Sequence, residues 1–170
     1  LTRRTSRGVS LVESLVALLV LSIGMLGIAA LFVESVRNSR TALLRTQAIN
    51  LVTDMGDRIR ANATAGNAYD TTLNGAPTTR GCAPSTTETG GNCTAAALAE
   101  DDLARWLETV QTLLPTFDGA EPTATVTYGP PVLVGGPERF TVRVAWREPG
   151  EDADLSYQTD VVIIPRQPQS

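Results

Sequence analysis

Residues 8–33 read GVSLVESLVALLVLSIGMLGIAALFV, and this stretch decides how the rest of the chain is read. Glu13 is its one charged residue, and residues 14–33 form a run of twenty without a charge. At about 1.5 Å per helical residue such a run reaches about 30 Å, the thickness of a bilayer's hydrocarbon core. Arg3, Arg4 and Arg7 stand immediately before Gly8, and by the positive-inside rule they predict a cytoplasmic N-terminal side. Glu13 falls at the start of the apolar run, near that interface. A carboxylate in such a place costs free energy and calls for a partner.

Helical patterning continues past the apolar run. Val36, Leu44, Ala48, Leu51, Met55 and Ile59 recur mostly at steps of three and four, the spacing of one helix face. Arg37, Arg40, Arg45, Asp54, Asp57, Arg58 and Arg60 fill the positions between, with Asp54 and Arg58 spaced as an i,i+4 ion pair. No proline precedes Pro77, so the pattern predicts one helix from residue 9 to residue 61, about 80 Å long. Its first part is apolar all round. Its second has one apolar stripe, which predicts burial against the chain's own C-terminal domain. Gly24 and Gly27 soften the membrane half, at about 1 kcal/mol each relative to Ala, and small residues there permit close approach of another helix.

Residues 63–94 are rich in Thr, Gly, Asn, Ala and Ser, a composition that predicts loop. Cys82 and Cys93 are the two cysteines. On the far side of the membrane an oxidising compartment makes a disulfide between them the default expectation, worth roughly 2–3 kcal/mol by loop-closure entropy. Asn62-Ala63-Thr64 and Asn92-Cys93-Thr94 fit the N-glycosylation pattern, which alone has little specificity. Helical spacing returns over residues 96–114 with Ala99, Leu103, Trp106, Leu107, Val110, Leu113 and Leu114. Glu100, Asp101 and Asp102 fall in its early turns and Pro115 closes it. That acid cluster reads more readily as a solvated, dipole-matched helix start than as a cation site. The last fifty residues change to period two. Residues 123–128 and 140–147 alternate, with Phe140, Val142, Val144 and Trp146 on one face, and Tyr157, Thr159, Val161 and Ile163 continue the pattern. Segments rich in Gly and Pro separate these runs. The expectation is α+β: a long N-terminal helix packed on an antiparallel sheet of three or four strands, with a second short helix.

Composition narrows the chemistry. All 14 basic residues are arginine, and lysine and histidine are absent. The commonest general base, Schiff-base nucleophile and metal ligand are therefore missing, and two cysteines without a histidine make a weak metal site. Without Arg3, Arg4 and Arg7 the formal charge falls from −4 to −7, which argues against holding nucleic acid by bulk electrostatics. No catalytic residue, cofactor or metal is expected.

The basic leader ending in Gly8, the apolar Val9, Glu13 four positions later and the apolar run resemble the type IV pilins and their type II secretion relatives. In that superfamily the resemblance implies cleavage after Gly8 by a prepilin peptidase, N-methylation of the new first residue, Val9, and use of Glu13 to set register between subunits. Val9 departs from the usual Phe at that position, and the proline that many members carry in the membrane half is missing here. Within the superfamily, residues 7–62 look most like a PilV-type minor pilin, a structural subunit that helps to prime or cap pilus assembly. The implied divisions are a leader over 1–8, a transmembrane half-helix over 9–33, an amphipathic half-helix over 34–62 and an α+β head over 63–170. The implied partners are the prepilin peptidase, other minor and major pilins and the inner-membrane assembly platform. The implied location is the inner membrane, in a single pass with the head in the periplasm, and then the pilus. Alternatives are a minor pseudopilin of type II secretion and, from another class, a signal-anchored periplasmic enzyme or binding domain. A secretory signal peptide has an apolar core of about 7–15 residues and a small-x-small cleavage site. Ile28-Ala29-Ala30 offers a poor site, and the core here is longer and begins at an acid. A plain signal anchor accounts for the span and the arginines but not for Gly8 or Glu13.

Overall fold

The computed structural model describes residues 10–74, 76–82, 93–149 and 153–164. Helix α1, Leu11–Ala61, runs for 51 residues, with no proline to remove a backbone donor. Contacts divide the chain after Ala42 into two compact units. In the first, every described side chain of α1 up to residue 40 is exposed. In the second, Leu44, Ala48, Leu51, Val52, Met55, Gly56 and Ile59 of α1 are buried, the stripe expected from the period, widened by Val52 and Gly56. Val36, which the period placed on the same stripe, is 54 % exposed and belongs to the first unit.

Helix α2, Ala95–Leu113, starts where Thr94 Oγ1 accepts the amide of Ala97 at 3.2 Å, which satisfies one of the orphan donors of the first turn. It buries Ala99, Leu103, Trp106 and Val110, while Leu113 stays 45 % exposed. Strands β1 (Thr123–Gly129), β2 (Glu138–Trp146) and β3 (Leu155–Ile163) form an antiparallel meander in the order β1-β2-β3. Val126 pairs with Val142 and Phe140 with Val161, so the apolar alternation of all three strands falls on one side of the sheet. That side and the stripe of α1 enclose the head's core with Trp106, Tyr69, Phe140, Met55 and Ile59 fully buried. The rings of Tyr128 and Phe140 sit 5.2 Å apart at 55°, a tilted pairing that aromatic quadrupoles favour.

Two expectations are corrected. Residues 63–69 are not loop: Ala63–Tyr69 forms a short 3-10 helix interrupted at Gly66, whose φ of 53° glycine tolerates. The cause is tertiary, because Tyr69 at its end is fully buried and the segment packs on α2. The acids of α2 are not a solvated helix start either. Asp101 is fully buried, and Asp102 bonds two other elements.

Candidate assembly surface

The first unit is one helical surface. Leu11, Val12, Leu15, Val16, Leu18 and Leu19 are each more than half exposed, and Leu26, Ile28, Leu31 and Phe32 are so to about 70 %. Within Leu11–Ala61 an 18-residue window reaches a mean hydropathy of 2.7 and is 0 % buried, long and apolar enough to cross a membrane. Ser22, inside that window's apolar run, donates its hydroxyl to the Leu18 carbonyl at 2.7 Å. A hydroxyl satisfied by its own helix adds little to the cost of leaving water. Glu13 lies in the first turn of α1 and is exposed, where the helix dipole favours a negative charge. A Cβ on Gly24 or Gly27 would meet nothing within 4 Å, so neither glycine is required by packing within the chain. Arg3, Arg4, Arg7, Gly8 and Val9, on which the expected cleavage and methylation fall, lie outside the described residues.

The second unit presents a head whose parts are fastened to α1 through polar groups. Trp106 Nε1 donates to the Leu51 carbonyl at 2.9 Å, and Asn62 Nδ2 donates to the Ala95 carbonyl at 2.8 Å. Arg58 Nη1 and Tyr69 Oη donate to the two oxygens of Asp102, at 3.0 and 2.8 Å. Burial pushes the Tyr69 hydroxyl far above the ordinary tyrosine range, so it remains a donor. Asp54 adds an exposed ion pair to Arg58 at 2.9 Å, the i,i+4 spacing read from the sequence. Asp70 Oδ1 accepts the amides of Thr72 and Leu73, and Oδ2 accepts the amide of Tyr128 in β1 at 2.8 Å. Burial works to raise the pKa of Asp70, but the hydroxyl of Thr72 and these amides hold it below the usual range.

Cys82 and Cys93 are joined by a disulfide with their Cα atoms 5.8 Å apart. Beside it, Asp101 accepts the amides of Arg80 and Gly81, at 2.6 and 2.9 Å, and Arg105 Nε at 2.9 Å. Arg80 also bonds Glu100, at 2.6 Å from its Nη2. The covalent bridge and the Asp101 carboxylate therefore fix the same turn onto α2. Composition predicted the bridge; the role of Asp101 and Asp70 has no sequence signal beyond an acid among turn residues. Among the described residues no group of three or more His, Cys, Asp or Glu is placed to hold a metal ion.

Comparison with known families gives two matches. Residues 3–29 match the prokaryotic N-terminal methylation motif, and residues 30–104 match the family described as type IV pilin Tt1218. No curated protein and no solved structure matches the chain. A membrane-length apolar helix behind a methylation motif, carried into an amphipathic half that packs on an antiparallel sheet, is the pilin-like fold. The two matches together cover residues 3–104 and support the superfamily of type IV pilins and pseudopilins with an N-terminal methylation motif.

Proposed function

We propose that this chain is a structural minor pilin that helps to prime or cap type IV pilus assembly. The observation that carries the reading is the fully exposed apolar surface of α1 behind a methylation motif. A half-helix that is apolar all round, with every described side chain up to residue 40 exposed, needs lipid first and then other helices. In this reading residues 1–8 are a leader, 9–33 cross the inner membrane, 34–62 join that span to the head, and 63–170 form the head in the periplasm. The prepilin peptidase cuts between Gly8 and Val9, Val9 is methylated on its new amine, and Glu13 meets the amine of a neighbouring subunit. The assembly platform and other minor and major pilins are the partners. Gly24 and Gly27, free of packing demands within the chain, allow close approach by a neighbouring helix.

Intact-mass and N-terminal analysis of protein from membranes and from sheared pili tests the proposal. The expected species begins at Val9, carries one added methyl group and occurs at low copy in the pilus fraction. A mature N-terminus near Ala30, or retention of residues 1–8, would overturn it.

A further inference from the structure

The two edges of the sheet differ. At β1 the outward-facing groups of Val126 are both taken, its carbonyl by the Thr71 amide at 3.0 Å and its amide by Thr71 Oγ1 at 3.1 Å. The outward amide of Tyr128 is taken by Asp70. Antiparallel ladders alternate hydrogen-bonded and non-hydrogen-bonded pairs, so Val126–Val142 is a non-hydrogen-bonded pair. By the same alternation Val142–Thr159 and Val144–Tyr157 are hydrogen-bonded. The amides and carbonyls of Ser156, Gln158, Asp160 and Val162 therefore point away from β2. Among the described residues no backbone group bonds them.

Little in β3 blunts this edge, since its one charge, Asp160, is paired to Arg139 at 2.8 Å. Its nine residues pair with β2 without a bulge, and none is proline or lysine, the devices that usually protect an edge strand. Two grooves flank it on the inner side of the sheet. One, of about 260 Å³, lies between Tyr157 and the Arg45 and Ile49 side chains of α1. The other, of about 610 Å³, lies between Ile163 and Arg60 with Ala63. Among the described residues Arg45 makes no ion pair.

We propose that the open edge of β3 accepts an extended segment of another polypeptide as a fourth strand. The segment carries branched apolar side chains at alternate positions for the grooves, and a carboxylate for Arg45. Main-chain bonds supply the affinity and the alternate side chains the specificity. The residues after β3 are poor occupants, because Pro165 and Pro168 lack the amide donor. A second copy pairing β3 to β3 is excluded by its helix. A Cβ built on Gly56 would stand 3.1 Å from Val161 Cγ2, so α1 lies directly beneath β3. Adjacent strands are about 4.8 Å apart, whereas packed helices need about 8–10 Å. The edge has room for a strand without a helix behind it. This inference stands on the sheet alone and does not depend on assembly into a pilus.

The test is amide hydrogen exchange on the full chain in detergent micelles, read residue by residue. The probe is the capped peptide Glu-Ser-Val-Thr-Val-Ser-Glu, which offers a carboxylate to Arg45 in either strand direction. Exchange at Ser156, Gln158, Asp160 and Val162 is expected to slow about tenfold when about nine-tenths of the edge is occupied, with Val126 unchanged. Gln158→Pro removes an outward donor without touching the ladder to β2 and is expected to abolish the protection at unchanged melting temperature. Should that variant fail to fold, Arg45→Glu on the exposed helix face carries the test, with peptide binding about tenfold weaker. Unchanged exchange, or protection that persists in Gln158→Pro or at full strength in Arg45→Glu, would overturn the proposal. So would protection without peptide accompanied by dimers in sedimentation, which would make the occupant a second copy.

Discussion

The Asp101 side chain is 1 % exposed and ion-paired to Arg105. Burial works to raise its pKa, but Arg105 and the amides of Arg80 and Gly81 outweigh that and hold it below the usual carboxylate range. Its folded pKa lies below its unfolded one, so its contribution is complete above the unfolded value, about 4, and is lost as pH falls through the folded value. The head is therefore expected to lose stability in acid, from about pH 4 downward. Asp101→Asn is expected to flatten that acid slope and to cost about 1–3 kcal/mol at neutral pH, because the site keeps its donors and loses the charge they face. Thermal unfolding of both forms between pH 7 and pH 2.5 measures this; an equal acid slope in the two would contradict it. Gly56 carries a second prediction. A Cβ there would stand 3.1 Å from Val161 Cγ2 and 3.4 Å from Arg60 Nη1, so the neighbours must give way and a branched side chain needs more room still. Gly56→Val is expected to destabilise the head by about 1–3 kcal/mol through overpacking, despite Gly being the poorer helix former. A denaturant midpoint at or above that of the parent would show that the contact yields. Neither residue announces itself in the sequence. A charge count cannot tell an acid that caps a helix in water from one that faces amides inside the fold, and a period of 3.6 registers apolar residues but not a glycine that lets a strand come close.

At the scale of elements, what could be read in advance was what depends on period. The amphipathic part of α1, the inward face of β2 and the Trp106 face of α2 each repeat one spacing for several turns or pairs, so burial follows from position. The 3-10 helix Ala63–Tyr69 escaped because its one large anchor, Tyr69, is held across the fold: it donates to Asp102 of α2 and accepts at 3.3 Å from Asn62, the residue before the helix. Edge character was equally hidden, since it depends on Asp70 and Thr71 reaching β1 across some 55 residues of sequence. The disulfide was legible from compartment and count. It closes a loop of sequence separation 11, and reduction or Cys82→Ser with Cys93→Ser is expected to cost roughly 2–3 kcal/mol by releasing that loop in the unfolded chain. Because Asp101 still holds Arg80 and Gly81, α2 is expected to stay docked. Chemical denaturation should show the lower midpoint while the near-ultraviolet signal of buried Trp106 is retained. A midpoint unmoved by reduction would mean that the bridge constrains nothing that the carboxylate does not already hold.

At the scale of the molecule, the described side chains of α1 up to residue 40 are exposed, and the position of Glu13 states what a partner must supply. After cleavage its carboxylate would lie one helical turn from the positive amine of Val9, at the edge of an apolar phase. An acid in low dielectric is costly alone and far less so when paired and hydrogen-bonded. In the proposed assembly, subunits staggered along a helix bundle would bring the Glu13 of one against the amine of the next, so pairing would reward one axial register and penalise slippage. Glu13→Leu makes the span more apolar. It is therefore expected to be inserted and cleaved as the parent is, with the mature mass beginning at Val9, yet to lose capture of other pilins. Glu13→Asp keeps the charge on a shorter arm and is expected to recover part of that capture. Cross-linking of each variant to co-expressed minor pilins, with pilus counts on the same cells, separates insertion from assembly. Normal partner capture and piliation by Glu13→Leu would show that register is set elsewhere along the exposed helix, and that Glu13 serves only the dipole of its own first turn.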